Sequence, residues 1–381
     1  MSRNERERMI KNLIGFFLLA GSLCACSEGG EQAAPDLSNI QLPEGYQIAV
    51  YAQVPDARSM CWGEKGTLFV GNRKEDKVYA LRDEDGDGVA EKKWVIASGL
   101  NTPNGVAFKN GSLYIAEINC ILRLDQIEEK LDNPPTPVVV TDKLPDKTWH
   151  GWKFIAFGPD GKLYVPVGAP CNVCISEDSV FASILRMQPD GSDMEIYAHG
   201  VRNSVGFSWH PLTQQLWFTD NGRDLMGDDM PSCELNVAPE KGLHFGFPYI
   251  HQGNIPDPEF ASKRPASLKT QAPAALLGPH VAPLGMRFYT GNMFDSVYTN
   301  AVFIAEHGSW NRTNPIGYKV GVAFLNGNNE VVRYIPFAEG WLKADGKVTG
   351  RPVDIEIDQK GALLVSDDYA GCIYRITKAT P

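Results

Sequence analysis

From residue 42 onward the chain is built of short apolar runs separated by turn residues, and one run recurs. Gly66–Gly71, Gly111–Ala116, Gly161–Pro166, Gln215–Asp220, Ala301–Glu306 and Gly361–Ser366 are versions of a single strand. Each follows another short apolar strand and a turn, at Ser59–Gly63, Asn104–Phe108, Lys153–Phe157, Ser204–Trp209, Leu284–Phe288 and Val353–Ile357. Most precede a third strand, at Val78–Leu81, Ile121–Leu124, Ile184–Met187, Val320–Phe324 and Ile373–Ile376. Six copies at intervals of tens of residues predict an all-β fold, a six-bladed β-propeller with four-stranded antiparallel blades. A two-sheet sandwich would not repeat this internal order. No helical period is sustained beyond short stretches such as Asp125–Leu131. Tyr249–Pro283, rich in Pro and polar residues, is expected as a long loop over one face. The repeat therefore assigns residues 42–381 to one domain, where a length of 381 alone suggests two or three.

The N-terminus stands outside this pattern. Arg3, Arg6, Arg8 and Lys11 precede an apolar run from Leu13 to Leu23, and small residues lead to Cys26. This resembles a bacterial lipoprotein signal over residues 1–25, with Cys26 carrying lipid and residues 26–41 as a flexible tether. An ordinary signal peptide cut nearby is the alternative. The run is too short to span a bilayer, which takes about 20 residues. The expectation is an exported, periplasmic lipoprotein that meets a membrane, the outer one in particular, only through its anchor.

Cysteines outside the cytoplasm usually pair. Beyond Cys24 and Cys26 there are six, at 61, 120, 171, 174, 233 and 372. Cys171 and Cys174 have the spacing of a redox, metal or haem motif. No His follows Cys174, which excludes covalent c-type haem, and a second such pair is missing, which weakens zinc. A local disulfide is the expected reading.

Charge changes the picture at one place. The chain carries 36 Lys+Arg against 46 Asp+Glu, a net charge of -10. That balance argues against nucleic acid as a partner. Yet Arg58, Asn104, His150, Arg202 with Asn203, and Arg351 all stand just before, or at the start of, the first strand of a repeat. Asp220–Arg223 and His307–Arg312 follow second strands. In a propeller such positions converge at one end of the central channel. Several arginines gathered in an acidic protein imply an anionic ligand, carboxylate or phosphate. The competing reading is that they pair with Asp354, Asp367 or Asp368 and clip blades together.

Trp149–His150, the Gly158–Tyr164 turn, Arg202–Asn203, Asp220–Arg223 followed by Glu234–Asn236, Gly246–Pro248, His307–Arg312 and Gly350–Asp354 resemble the sorbosone/glucose dehydrogenase family over roughly residues 42–378. The last two point to its sorbosone dehydrogenase-like branch. The resemblance implies a six-bladed propeller that uses pyrroloquinoline quinone (PQQ) and Ca²⁺ to oxidise a sugar, sugar aldehyde or related polyol. It implies cofactor contacts from Arg202, Asn203 and Arg351, with Arg58, Asn104, His307, Arg312 and Lys319 as further partners. The backbone carbonyls of Gly222 and Arg223 would hold calcium. His150 would be the general base, taking a hydroxyl proton while hydride leaves the same carbon for the quinone. With no haem motif on the chain, electrons would pass to an external acceptor, a cytochrome or quinone.

Two departures matter. Glucose-active members carry an aspartate where Trp149 stands, and a second, orienting the histidine, where Ala169 stands. Two other functions fit the same fold: a calcium-dependent lactonase, which needs a side-chain Glu/Asn/Asp cage, and a non-catalytic surface propeller binding glycan or protein. Finally, Asp83, Asp85, Asp87 and Glu91 resemble a calcium loop, although its twelfth position is Trp94 rather than Glu. A solvated acidic hairpin turn is the alternative there.

Overall fold

The second strand of each repeat is legible in sequence because it is buried on both faces. Leu68–Asn72, Leu163–Val167, Leu216–Asp220, Val302–Glu306 and Leu363–Asp367 contain no exposed residue. Outer strands such as Lys92–Ala97 and Val331–Ala338 carry exposed positions along much of their length. In a computed structural model, which describes residues 35–379, these strands form six antiparallel blades in a ring. The first strands are Ala57–Trp62, Gly105–Lys109, Ala156–Phe157, Phe207–Trp209, Pro283–Phe288 and Pro352–Ile357, and most neighbours among them touch around the axis. Four-stranded blades are the rule. The third gains a fifth strand, Leu243–His244, parallel to Glu195–His199.

The ring is closed by strand exchange between the chain's two ends. Tyr46–Gln53 pairs antiparallel with Cys372–Lys378, so the sixth blade takes its outermost strand from the start of the domain. Hydrophobic clusters fill the spaces between blades; the largest joins Phe303, Phe337 and Trp341 to Tyr374. Among the described residues there is no α-helix, and no helix is long and apolar enough to cross a membrane.

Three expectations change. The signal segment and Cys26 lie outside the described residues, but the last part of the proposed tether is docked. Gln41 exchanges backbone hydrogen bonds with Glu339 at 2.7 and 3.1 Å, and Leu37 and Ile40 pack on the Phe337 cluster. The stretch from Tyr249 to Pro283 is mostly loop over about its first three-quarters. It contains a small hairpin, Ile250–His251 with Ile255–Pro256, and ends in Ala275–Pro279, the outer strand of the fourth blade. Of the six cysteines only Cys171 and Cys174 are joined. Cys61, Cys120, Cys233 and Cys372 are free, each in a different blade. A bridge needs Cα atoms within about 7 Å.

Crowding at the axis sets the finer geometry. A Cβ on Gly285 would lie 2.1 Å from the Asp354 carboxylate and 2.5 Å from its Cα. Register shifts recur in three first strands, between Ala57 and Met60, Pro283 and Met286, and Pro352 and Ile355. Such bulges bend a strand and re-aim its side chains, here at the channel end. Gly285→Ala should therefore lower unfolding free energy by about 1–3 kcal/mol, the usual range for overpacking. Equilibrium urea unfolding reads this directly, and an unchanged midpoint would refute the crowding account.

Candidate active site

Register shows which residues face the channel. Met60 pairs with Val70, Val106 with Ile115, Phe207 with Phe218, Met286 with Ile304 and Ile355 with Val365, at matching places in the repeat. Two residues before each stand Arg58, Asn104, Val205, Leu284 and Val353; Lys153 takes the same place in the third blade. Half of this ring is polar. The other half is apolar, with Val205, Leu284 and Val353 clustered against Trp152. His150, Arg202 and Arg351 come two or three residues earlier, so the candidate residues occupy two tiers rather than the single phase expected.

The upper tier surrounds a cavity of about 260 Å³. Its lining includes Arg58, Arg73, His150, Arg202, Asn203, Gly222, His307 and Arg351. Arg58 is 1% exposed and bound to Asp368 (2.9 Å) and Asn104 (2.8 Å), yet among the described residues its buried Nη2 has no hydrogen-bond partner. The blade-clip reading thus holds for this arginine, in part. Arg351 instead donates to the carbonyl oxygens of His307 and Gly308, both at 2.9 Å. Arg73 stacks on Trp152 at 3.9 Å, and burial lowers its pKa to about 10. Among the described residues neither Arg73 nor Arg351 has a carboxylate within ion-pair distance. Arg202 is held mainly by oxygens of Asn172 and Asn221. Asp220 accepts the backbone N–H groups of Arg202 (2.9 Å) and Asn203 (2.7 Å), which fixes that pair.

His150 has a left-handed backbone (φ 51°), and it packs so closely on Gly168 that a Cβ added to that glycine would lie 2.5 Å from the His150 Cβ. The His150 Nδ1 lies 2.8 Å from the carbonyl oxygen of Ala169. A carbonyl only accepts, so Nδ1 carries the proton and Nε2 keeps its lone pair. The missing aspartate at 169 is thus replaced by a backbone oxygen of the same residue. Burial, reinforced by the Arg202 charge, pushes the His150 pKa down to about 3. A second imidazole faces the cavity with the opposite orientation. His307 donates from Nε2 to Asp368 at 2.8 Å, and burial lowers its pKa to about 4. Burial alone would raise the Asp368 carboxyl, but His307 and Arg58 hold it well below the carboxylate range.

Other expected residues do not join the cavity. Arg312 turns outward to Asp229 (3.2 Å) and the Asp228 carbonyl, and Lys319 is drawn to Glu306 at 3.6 Å. Their charges are satisfied locally. The Arg223 side chain is held by buried Asp257 at 2.5 Å. Asn104 acts one layer down, bonding Arg58, Ser59 and the Lys153 carbonyl. Asp83, Asp85, Asp87 and Glu91 do come together, with candidate ligand oxygens within 4.8 Å of one another, on a turn that contributes nothing to the cavity lining. Sequence reasoning missed Arg73, Trp152 and Lys153. Lys153, 2% exposed with a pKa lowered by burial to about 8, was legible as the charged member of an otherwise apolar strand.

A family model described as Glucose / Sorbosone dehydrogenase matches residues 122–308, and one described as TrAA12-like matches residues 252–379. An uncharacterised protein of Borreliella burgdorferi is 33% identical over 358 residues, covering 89% of this chain and 91% of that protein. A pyrroloquinoline quinone-dependent pyranose dehydrogenase of Coprinopsis cinerea is 54% identical over 161 residues, 33% of this chain and only 21% of the fungal protein. The holo PQQ domain of pyranose dehydrogenase from the same fungus superposes with a TM-score of 0.74 at 18% identity, covering 91% of this chain and 98% of that domain.

The imidazole assignment is testable without any ligand. In ¹⁵N-labelled apo-protein, His150 should show a protonated Nδ1 and a bare Nε2 from pH 8 down to about pH 5. Arg202→Met should raise its pKa, because a positive neighbour is removed. Titration of the wild-type ring near pH 6.5, or no rise in the variant, would refute the assignment.

Proposed function

Because the chain belongs to the glucose/sorbosone dehydrogenase family, we propose that it is a PQQ- and calcium-dependent oxidoreductase acting on a sugar, sugar aldehyde or related polyol. One observation carries the reading: four arginines, two of them without a carboxylate partner, share one cavity with a histidine whose Nε2 is free. The buried, unpartnered Nη2 of Arg58 is a donor awaiting an acceptor. A planar tricarboxylate meets this donor set; Arg58, Arg73, Arg202, Asn203 and Arg351 would hold it, and the Gly222 and Arg223 carbonyls would hold calcium. A lactonase-type metal cage is disfavoured, since Asp224 is the one carboxylate in the cavity lining among the described residues.

When bound, PQQ supplies a hydride acceptor, and calcium polarises its carbonyl as a Lewis acid. The remaining work belongs to the chain. The Ala169 carbonyl holds Nδ1–H, so Nε2 points its lone pair at a substrate hydroxyl and takes the proton. Burial and Arg202 keep His150 neutral before substrate arrives. An anionic ligand beside Arg202 would offset part of the arginine field and bring the His150 pKa back toward the range where general bases work well. Trp149, 54% exposed beside His150, presents an aromatic face where glucose-active relatives carry an acid. Electrons leave for an external cytochrome or quinone.

The compartment follows from the N-terminal segment as a proposal: export, lipidation of Cys26 and a periplasmic, membrane-tethered enzyme. Mass spectrometry of the membrane-fraction protein, showing an N-terminal diacylated Cys26, tests it; an unmodified N-terminus elsewhere overturns it.

The central experiment adds PQQ and Ca²⁺ to purified apo-protein and follows quenching of intrinsic fluorescence, then sugar-dependent dye reduction. Micromolar or tighter binding is expected. His150→Ala should retain binding and lose turnover by about 10²–10⁴-fold, the usual worth of a general base. Arg351→Ala should weaken binding by about tenfold or more, as loss of a hydrogen bond to a charged group does. Absence of PQQ binding by the wild type would remove the proposal.

A further inference from the structure

Arg202 is 4% exposed, and the two shortest bonds of its guanidinium go to one residue. Nε donates to the backbone oxygen of Asn172 at 2.8 Å, and Nη2 to Asn172 Oδ1 at 2.9 Å. Nη1 donates to the Asn221 carbonyl at 3.1 Å, and Asp224 Oδ2 lies 3.4 Å from Nη2. That leaves one N–H of Nη1 without a partner among the described residues, on a side chain that lines the cavity.

Asn172 lies thirty residues away in sequence, inside the four-residue loop closed by the Cys171–Cys174 disulfide. It is fixed from its other side as well: the Asp224 N–H donates to Oδ1 at 2.9 Å, and Nδ2 donates to the Asp224 carbonyl at 3.1 Å. We propose that this disulfide-closed loop is a positioning element for Arg202, with Asn172 as the residue that sets the plane of the guanidinium and so the direction of its remaining N–H.

The physical reason is the number of conformations available. The loop joining Leu163–Val167 to Ser183–Met187 has no regular structure of its own. An open chain there would present the residue 172 carbonyl in many directions. The crosslink removes most of them, since it ties positions three apart. A planar guanidinium needs two acceptors in one plane, and the Asn172 backbone and side-chain oxygens supply them together. Without them the Asp224 carboxylate, already 3.4 Å from Nη2, is left as the chief partner on that side, and a closer pair with it draws the charge from the cavity.

The test has two arms, of which only the second rests on the proposed cofactor. In protein labelled with ¹⁵N-arginine, the Arg202 Nε–H, assigned by its loss in Arg202→Lys, should give a slowly exchanging resonance. Asn172→Ala, which keeps that backbone acceptor but loses the side-chain bonds to Asp224 that fix it, should speed its exchange by about tenfold, and opening the disulfide, either in the Cys171→Ser/Cys174→Ser protein or with dithiothreitol, should abolish it. In the latter case the bridge takes up two electrons and two protons while the dithiol closes to its own disulfide. Asn172→Asp, which keeps both acceptors, should retain the resonance. The second arm measures PQQ affinity by fluorescence quenching: about tenfold weaker binding is expected for Asn172→Ala and for the opened protein, with melting temperatures close to wild type. A resonance whose slow exchange is unchanged in both Asn172→Ala and the opened protein overturns the inference. If wild-type protein fails to bind PQQ, the cofactor reading falls while the resonance arm still decides this one. If the double serine variant does not fold, Asn172→Ala and dithiothreitol decide it.

Discussion

Six strands must crowd against one axis, and the rest of the molecule follows from how they do so. Backbones approach closely enough that Gly285 has no room for a methyl group beside Asp354. The strand ends are bent by bulges at the same place in three blades. Those bends, together with the loops that lead into the strands, deliver side chains from distant parts of the chain to one end of the channel. Closure of the ring by pairing Tyr46–Gln53 with Cys372–Lys378 makes the arrangement rigid, because no blade has a free neighbour to move toward. A site assembled this way is pre-organised by the fold rather than by any single loop.

Within that frame the electrostatics are unusual in how they are balanced. An acidic protein gathers four arginines around one cavity; backbone oxygens hold Arg351 with no carboxylate beside it, and Arg202 is held mainly by backbone and amide oxygens, with Asp224 a more distant partner at 3.4 Å. Neutral acceptors orient a guanidinium and leave its field intact. Only Arg58 is tied to a buried carboxylate, and Asp368 shares that charge with His307. The field left over favours an anion and keeps His150 unprotonated. One arrangement of donors thus prepares both a binding site and a base.

Orientation of that base shows how a substitution can preserve a role. The residue expected to carry an orienting carboxylate is Ala169, and its side chain can orient nothing. Its carbonyl does, at 2.8 Å, because Gly168 lets the two backbones approach. A neutral acceptor fixes the tautomer as an aspartate would, while adding less negative charge to stabilise an imidazolium. His150 is therefore a base whose strength depends on what occupies the cavity beside it.

Blade number, strand order and most of the candidates for the cavity were legible because burial on two faces writes a strong, repeating apolar signal into each second strand. Arg58, His150, Arg202, Asn203, His307 and Arg351 were found by their place in that repeat, and the cavity brings them together. Arg312 and Lys319, also expected there, do not reach it, since nearby Asp229 and Glu306 claim their charges. Arg73, Trp152 and Asn172 carried no signal, because their contacts come from other blades or from a loop whose path a disulfide decides. The sequence by itself determined a ring of six blades with a cationic end, for periodic burial is a local property of each strand. Which arginines stay unpaired, which nitrogen of His150 is free and which cysteines join were decided only by the tertiary structure, because each depends on distances between residues far apart in the chain.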